Sequence, residues 1–312
     1  MRFSLTKEKL LSGLQTVQNV VSSRTTLPIL ANVRIQAEDG HLVLSTTDLD
    51  IAMSCRIEAN VEKAGATTIP VKKLSSIISK FKSGEVVVEI DSRNIANIRC
   101  GQDICKIHGL PSEEFPELPA LDNVKTFNLK QTEIKDALRK TSYAISTDET
   151  RYVLNGILFA FKDSRLTMVA TDGRRLALVD LEVEFPQSDE CEIIIPTKCI
   201  NELSRIVSDN GDLRMYVGEK QVAFDTGSSR LVSKLVDGNY PNYRQVIPGE
   251  MRERVTIERE LFFDKVDLVS SMANEKSNSV KLILTKDNLE IAANTPDVGS
   301  ASVSYTHLRA HE

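Results

Sequence analysis

Leu42-Val43-Leu44-Ser45-Thr46-Thr47-Asp48 returns 124 residues later as Leu166-Thr167-Met168-Val169-Ala170-Thr171-Asp172, and 123 residues after that as Leu289-Glu290-Ile291-Ala292-Ala293-Asn294-Thr295. Leu30-Ala31-Asn32-Val33-Arg34-Ile35 and Leu154-Asn155-Gly156-Ile157-Leu158-Phe159 share the offset of 124. Ile69-Pro70-Val71-Lys72 recurs as Ile195-Pro196-Thr197-Lys198, offset by 126, each time opening an apolar-periodic segment. Self-similarity at a fixed period marks tandem copies of one structural unit. The chain thus reads as two full units of about 124 residues and part of a third that starts near Arg254.

Both full units carry the same order of elements. In the first, Leu10, Leu14, Val17 and Val21 lie on one face of a helix, and Val71, Leu74, Ile78 and Phe81 lie on one face of a second, opened by Pro70. The second unit matches with Ile134, Ala137, Leu138, Thr141 and Ile145, then with Ile200, Leu203 and Val207. Alternation at Ile51, Met53, Cys55 and Ile57, and at Val86, Val88 and Ile90, predicts half-buried antiparallel strands. Turns are expected at Glu38-Asp39-Gly40, Asp172-Gly173 and Asp237-Gly238. Two helices packed on antiparallel sheets in each repeat give an α+β class.

Composition narrows the function. With 41% hydrophobic and 27% charged residues the 312-residue chain reads as globular and multidomain. No run approaches the roughly 20 apolar residues of a membrane helix, and the first residues do not form a signal-peptide core, so a soluble intracellular chain is expected. Cys55, Cys100, Cys105, Cys191 and Cys199 form no C-x-x-C pair, and His41, His108, His307 and His311 form no metal-binding helix motif. No cofactor is expected. Asp48 and Asp50, two carboxylates at alternating positions, leave one enzymatic alternative open, a metal-dependent nuclease or phosphotransferase.

The net charge of −5 conceals an uneven distribution. Residues 5–20, 71–82, 130–143 and 197–206, the four amphipathic helices, carry 12 basic and 4 acidic side chains, a balance of +8 against −13 for the rest. Such segregation is a footprint for a polyanion. The residues assigned to it are Lys72, Lys73, Lys80, Lys135, Arg139, Lys198 and Arg205. Aromatics make up only 5% and tryptophan is absent, so stacking on single strands is disfavoured and contact with duplex phosphates, independent of sequence, is expected.

Arg24-Thr25-Thr26-Leu27-Pro28-Ile29-Leu30, Leu110-Pro111 with Phe115-Pro116, Thr150-Arg151-Tyr152-Val153-Leu154-Asn155-Gly156, Ala170-Thr171-Asp172-Gly173-Arg174-Arg175-Leu176-Ala177 and Leu235-Val236-Asp237-Gly238-Asn239-Tyr240-Pro241-Asn242-Tyr243 resemble the β subunit of bacterial DNA polymerase III, the sliding-clamp family. The resemblance runs from residue 1 to about residue 303. It implies clamp domains at 1–121 and 122–249 and a partial one at 250–303, with 304–312 continuing no pattern and reading as a non-native tail. It further implies a crescent-shaped protomer, two of which close into a homodimeric ring around duplex DNA. The helices, with Arg24, face the DNA. The family is not enzymatic; it is a processivity factor of replication that tethers the polymerase catalytic subunit, the clamp loader and other clamp-motif proteins in the bacterial cytoplasm at the nucleoid.

The resemblance places a partner-peptide pocket at Leu154, Thr171, Gly173, Arg174, Arg175, Leu176, Pro241 and Val246. Arg174 stands where many relatives carry His, and Gln245 where some carry Arg. Lys73, Ile104, Cys105 and Ile107 are expected on one side of the dimer interface and Met272 on the other. The third domain is expected to lack its later strands and second helix, with loss of one wall of the pocket and impaired ring closure.

Overall fold

A computed structural model describes residues 1–21, 27–117, 123–249, 254–274, 279–285, 288–295, 299–306 and 309–311. Arg24 lies outside the described residues. The chain divides into two compact units, Met1–Pro241 and Asn242–Glu312.

The first unit holds two copies of one pattern. Repeat 1 runs β1 (Arg2–Thr6), α1 (Lys7–Val17), β2 (Asn32–Glu38), β3 (His41–Thr47), β4 (Ile51–Glu58), β5 (Asn60–Lys63), β6 (Gly65–Pro70), α2 (Val71–Lys80), β7 (Glu85–Ile90), β8 (Ile95–Cys100) and β9 (Asp103–His108). Repeat 2 runs β10 (Lys125–Lys130), α3 (Gln131–Thr141), β11 (Gly156–Lys162), β12 (Arg165–Thr171), β13 (Leu176–Glu182), β14 (Cys191–Pro196), α4 (Thr197–Ile206), β15 (Asp212–Val217), β16 (Gln221–Asp225) and β17 (Ser229–Lys234). A strand thus precedes the first helix of each repeat, an element that the helical periodicity alone does not reveal. In β1 it is recognisable afterwards, because Phe3, Ser4 and Leu5 are all buried.

The helices are shorter than their apolar faces suggest. α1 ends at Val17 and passes into a 3-10 turn over Gln18–Val20, while α3 ends at Thr141 and passes into one over Ser142–Ala144. Val21 and Ile145 nevertheless stay buried, since a tightened last turn carries the chain back to the same side. Thr6 caps α1 by accepting from the Lys9 N–H at 3.4 Å.

All ladders are antiparallel, and their order exposes the joint between the repeats. Strands β5-β1-β7-β8-β9 form one sheet and β13-β12-β11-β14 another. Between them runs an eight-stranded sheet, β10-β15-β16-β17-β4-β3-β2-β6, in which β17 of repeat 2 pairs with β4 of repeat 1 from Ser229↔Cys55 to Ser233↔Ile51. α1 packs on α2 and α3 on α4. One apolar core runs through both repeats, from Phe3, Leu14 and Leu44 to Phe159, Leu203 and Phe224. Within it Phe127 stacks on Phe161 at 3.7 Å between ring centroids, and Phe185 meets both edge-on.

The second unit contains β18 (Arg254–Thr256), α5 (Arg259–Ser270), β19 (Lys281–Thr285), β20 (Asn288–Thr295), β21 (Gly299–Thr306) and β22 (Arg309–His311). α5 covers β20 and β21 around Val269, Leu289, Ile291 and Ala293, while Phe263, Leu268, Leu282 and Leu284 are exposed. Part of 304–312, the segment without the repeat's sequence pattern, is nevertheless paired as strand. Ser304 to Thr306 extend β21, and Arg309–His311 pair with β18. Ladder hydrogen bonds use main-chain groups only, so strand pairing tolerates a sequence without the repeat's pattern.

Phe127→Ala should lower the unfolding free energy of the first unit by about 3–5 kcal/mol, because it deletes a fully buried ring from an aromatic cluster. Phe263→Ala, at 63% exposure, should change stability by less than about 0.5 kcal/mol. Urea titrations of the two variants test both values.

Candidate nucleic-acid interface and peptide site

The basic helix residues fall into two groups according to what they touch. On α2, Lys72, Lys73 and Lys80 are exposed, on the side opposite the buried Val71, Leu74 and Ile78, and make no ion pair among the described residues. On α3 and α4 the cations have acidic partners, one of which, Asp209, a count along the helices leaves out. Lys135 meets Asp209 at 2.6 Å, Arg139 meets Asp136 at 2.6 Å, and Arg205 meets Glu202 at 3.3 Å. Asp209 lies beyond α4 and reaches back to the helix layer, so the free positive charge is smaller than +8 implies. The exposed pairs contribute little, about 0–1 kcal/mol each, and their cations remain exchangeable toward phosphate.

Two hollows lie on this layer. Thr132, Lys135 and Arg139 of α3 line one of about 510 Å³ with Ser204 of α4 and Asp209. Arg205 lines the other, of about 360 Å³, with Ser12, Gln15 and Thr16 of α1, Asn19, and Ser228 and Ser229. Charge counting overlooks this second group, since hydroxyls and amides carry no charge. The signal was present in the i, i+3, i+4 and i+7 spacing of Ser12, Gln15, Thr16 and Asn19. Glu202 corrects the count in another way: it is 5% exposed, and burial pushes its carboxyl above the usual carboxylate range against the pull of Arg205 and Lys198.

Lys198 is committed elsewhere. Its ammonium donates to the Asp48 carboxylate and, at 3.0 Å, to the Val20 carbonyl, both in repeat 1. Lys234 at the end of β17 donates to Asp50 at 2.8 Å. Asp48 Oδ1 also accepts from the N–H groups of Asp50 at 3.1 Å and Ile51 at 2.9 Å. Burial works against ionisation of Asp48, but the Lys198 and backbone hydrogen bonds outweigh it and hold the carboxyl below its usual range. Both carboxylates of the nuclease alternative are therefore spent on lysines of the neighbouring repeat. No cluster of three or more His, Cys, Asp or Glu suited to a metal ion occurs among the described residues.

Thr171, Gly173, Arg174, Arg175 and Leu176, five of the residues assigned to a peptide pocket, belong to one turn. Thr171 ends β12 and Leu176 opens β13, with Gly173 between them at φ +84°, a conformation that favours glycine. Asp172 Oδ1 accepts from the Arg174 N–H at 2.9 Å and the Arg175 N–H at 3.0 Å, and its Oδ2 accepts from Arg175 Nε at 3.1 Å. Those backbone donors, ahead of the Arg175 side chain, hold the Asp172 carboxyl below its usual range. Thr171 Oγ1 donates to the Arg175 carbonyl at 2.7 Å. Arg151, which lies in a motif of the resemblance but is not assigned to the pocket, donates to the Asp172 carbonyl at 3.3 Å and to Asp148 at 3.1 Å. A Cβ at position 173 would lie 2.8 Å from its Nη1. Arg174 and Arg175 are exposed, Leu176 is half-buried, Pro241 is exposed, and Leu154 is only 6% exposed. Val246, in the second unit, is 69% exposed.

The expected dimer residues divide by pleat. Among the described residues β9 pairs with β8 alone and forms the edge of its sheet. Ile104 is 60% exposed, Cys105 is half-buried, and Ile107 is buried in the core, so Ile107 does not lie on the face that Ile104 presents. Alternation with period two separates them. Met272, in the second unit, is half-buried and its carbonyl accepts from Thr295 Oγ1 at 2.8 Å.

Three family models match the chain in order, DNA polymerase III beta subunit N-terminal domain at 1–119, central domain at 128–242 and C-terminal domain at 244–305. The beta sliding clamp of Chlamydia muridarum is 31% identical over 304 residues, covering 97% of this chain and 83% of that protein. The Bacillus subtilis beta sliding clamp is 31% identical over 310 residues, covering 96% and 82%. Among solved structures, a sliding clamp from Pseudomonas aeruginosa bound to griselimycin superimposes with a TM-score of 0.94 at 29% identity. One from Bartonella birtlesii, also bound to griselimycin, gives 0.93 at 37% identity. Each comparison covers 100% of this chain and 85% of the solved one.

Asp48→Asn and Lys198→Met, made singly and together, should show a coupling of about 1 kcal/mol or less at neutral pH. Because the folded pKa of Asp48 is depressed, this stability is present above the unfolded value of 3.8 and is lost as pH falls through the folded one. Thermal unfolding of the four proteins from pH 7 downward measures it; a coupling unchanged by acid would sink the assignment.

Proposed function

We propose that this chain, which belongs to the DNA polymerase III β-subunit family, works as a sliding clamp in DNA replication, holding duplex DNA inside a closed ring and tethering the polymerase to it. The observation that carries the reading is the joint at which β17 pairs with β4. In repeat 1 the counterpart of β17 is β9, and in the second unit the counterpart of β4 is β21. Each has one ladder neighbour among the described residues. Open strand edges invite pairing, and β9 of one copy with β21 of another reproduces the internal joint. Two such contacts close a two-fold ring, with Lys73, Ile104 and Cys105 on one side and Met272 on the other. The chain acts as a tether and supplies no catalysis of its own.

On this reading Lys72, Lys73, Lys80, Lys135, Arg139 and Arg205 give diffuse contact with phosphates, assisted by Arg24 and by the hydroxyl and amide groups of α1. Lys198 serves the joint first and the DNA second. The Asp172 turn, with Leu154, Thr171, Leu176, Pro241 and Val246, takes short apolar segments of the polymerase catalytic subunit, the clamp loader and other replication proteins. Arginine donors beside an apolar floor suit such peptides. A tether of replication in this family acts in the bacterial cytoplasm, at the nucleoid, and the reading gives this chain the same place.

Loaded by its clamp loader on a nicked circular plasmid, the protein should stay with the DNA through gel filtration and leave when the plasmid is cut once. Retention on linear DNA would contradict encirclement. Replacing Lys72, Lys73 and Lys80 together by Ala should weaken duplex binding equally on all sequences and flatten its salt dependence, by about 0.9 in the log–log slope for each phosphate no longer neutralised. Ile104→Lys should shift the sedimenting species toward monomer while the far-ultraviolet spectrum stays unchanged.

A further inference from the structure

Tyr143 belongs to none of the groups assigned above, yet it is 57% exposed beside the Asp172 turn. It sits in the 3-10 turn that follows α3, and the Arg175 guanidinium lies over its ring at 5.5 Å from the centroid. Arg175 is held at every other point. Its N–H donates to Asp172, its carbonyl accepts from Thr171, and its Nε donates to Asp172. Only the two terminal nitrogens lack a hydrogen-bond partner among the described residues, and the side chain is 57% exposed.

A guanidinium fixed at Nε and on one face presents those two nitrogens as a parallel pair of donors, the arrangement that binds a carboxylate through both oxygens. We infer that Tyr143 is a positioning residue of the partner-peptide site: its ring holds Arg175 so that the two terminal nitrogens donate to a side-chain carboxylate of the incoming peptide. The inference rests on the proposal that the Asp172 turn is that site. The ring face performs the task, so the phenol oxygen is dispensable.

The probe is a fluorescein-labelled hexapeptide with two leucines, a phenylalanine and one aspartate, compared with the same peptide carrying asparagine. Fluorescence anisotropy on the full chain should show a preference for the aspartate peptide of about three- to fivefold, the range of an exposed ion pair. Tyr143→Phe should keep that preference, and Tyr143→Ala should reduce it below about twofold with binding of the asparagine peptide little changed, as removal of an exposed cation–π interaction implies. If Tyr143→Ala keeps the preference, or Tyr143→Phe loses it, the positioning role is wrong. If Arg175→Ala leaves both affinities unchanged, the peptide site itself is misplaced, which is a different failure.

Discussion

The architecture depends on one antiparallel ladder, the pairing of β17 with β4. A strand edge left open costs solvent-exposed main-chain groups that another strand will satisfy, and here the next repeat satisfies them. The main-chain bonds continue past the ends of the ladder, from the Lys234 N–H to the Asp50 carbonyl and from the Arg56 N–H to the Ser228 carbonyl, each at 2.9 Å. Two lysines of repeat 2 then close on Asp48 and Asp50 at one end. Backbone pairing sets the register, while the ion pairs sit where a slip would break both. A one-residue slip would also turn Leu231 and Met53, both fully buried, toward the opposite face.

Everything proposed for function inherits that joint. Because the ladder fixes repeat 1 against repeat 2, α1 and α4 lie close enough for Arg205 to share a hollow with Ser12, Gln15 and Thr16. The continuous core makes the two repeats one body, with no hinge of the kind that separate cores would allow. A surface for phosphates made from different helices needs that rigidity. Each contact is weak, and only a fixed array adds them up without a further ordering cost.

Much of this was legible in the sequence, and the limits have physical causes. The repeat, four helices and their buried faces could be read because periodicity records which side of an element meets the core. What could not be read was pairing at long range: nothing local in Asp48-Leu49-Asp50 says that Lys198 and Lys234 will arrive, so the same residues suggested a metal site. Charge counting along helices failed for the same reason at Lys135, whose partner Asp209 lies outside any helix, and at Glu202, which is buried. Ile107, expected with Ile104 and Cys105 at the dimer interface, faces the core of its own repeat, because an edge strand still has one buried face. In the peptide site the turn itself was legible from Asp172-Gly173, whereas Arg151 and Tyr143 reach it from elsewhere in the chain, and nothing local in the sequence announces those contacts.

The second unit shows what the repeat requires of its neighbours. In repeats 1 and 2 the strand after the first helix, β2 or β11, is flanked on its outer side by β6 or β14, and a second helix packs on the first. Its counterpart β19 has β20 as its one ladder neighbour among the described residues, and Leu282 and Leu284 are exposed upon it. α5 likewise leaves Phe263 and Leu268 in solvent, and among the described residues the fully buried cluster is Val269, Leu289, Ile291 and Ala293, with Phe262 and Val266 packed against it. Burial of apolar surface is what offsets chain entropy, at about 25 cal/mol per Å². Among the described residues, the second unit therefore leaves four large apolar side chains outside its core, and their burial would contribute to it only if further surface were laid over α5 and β19.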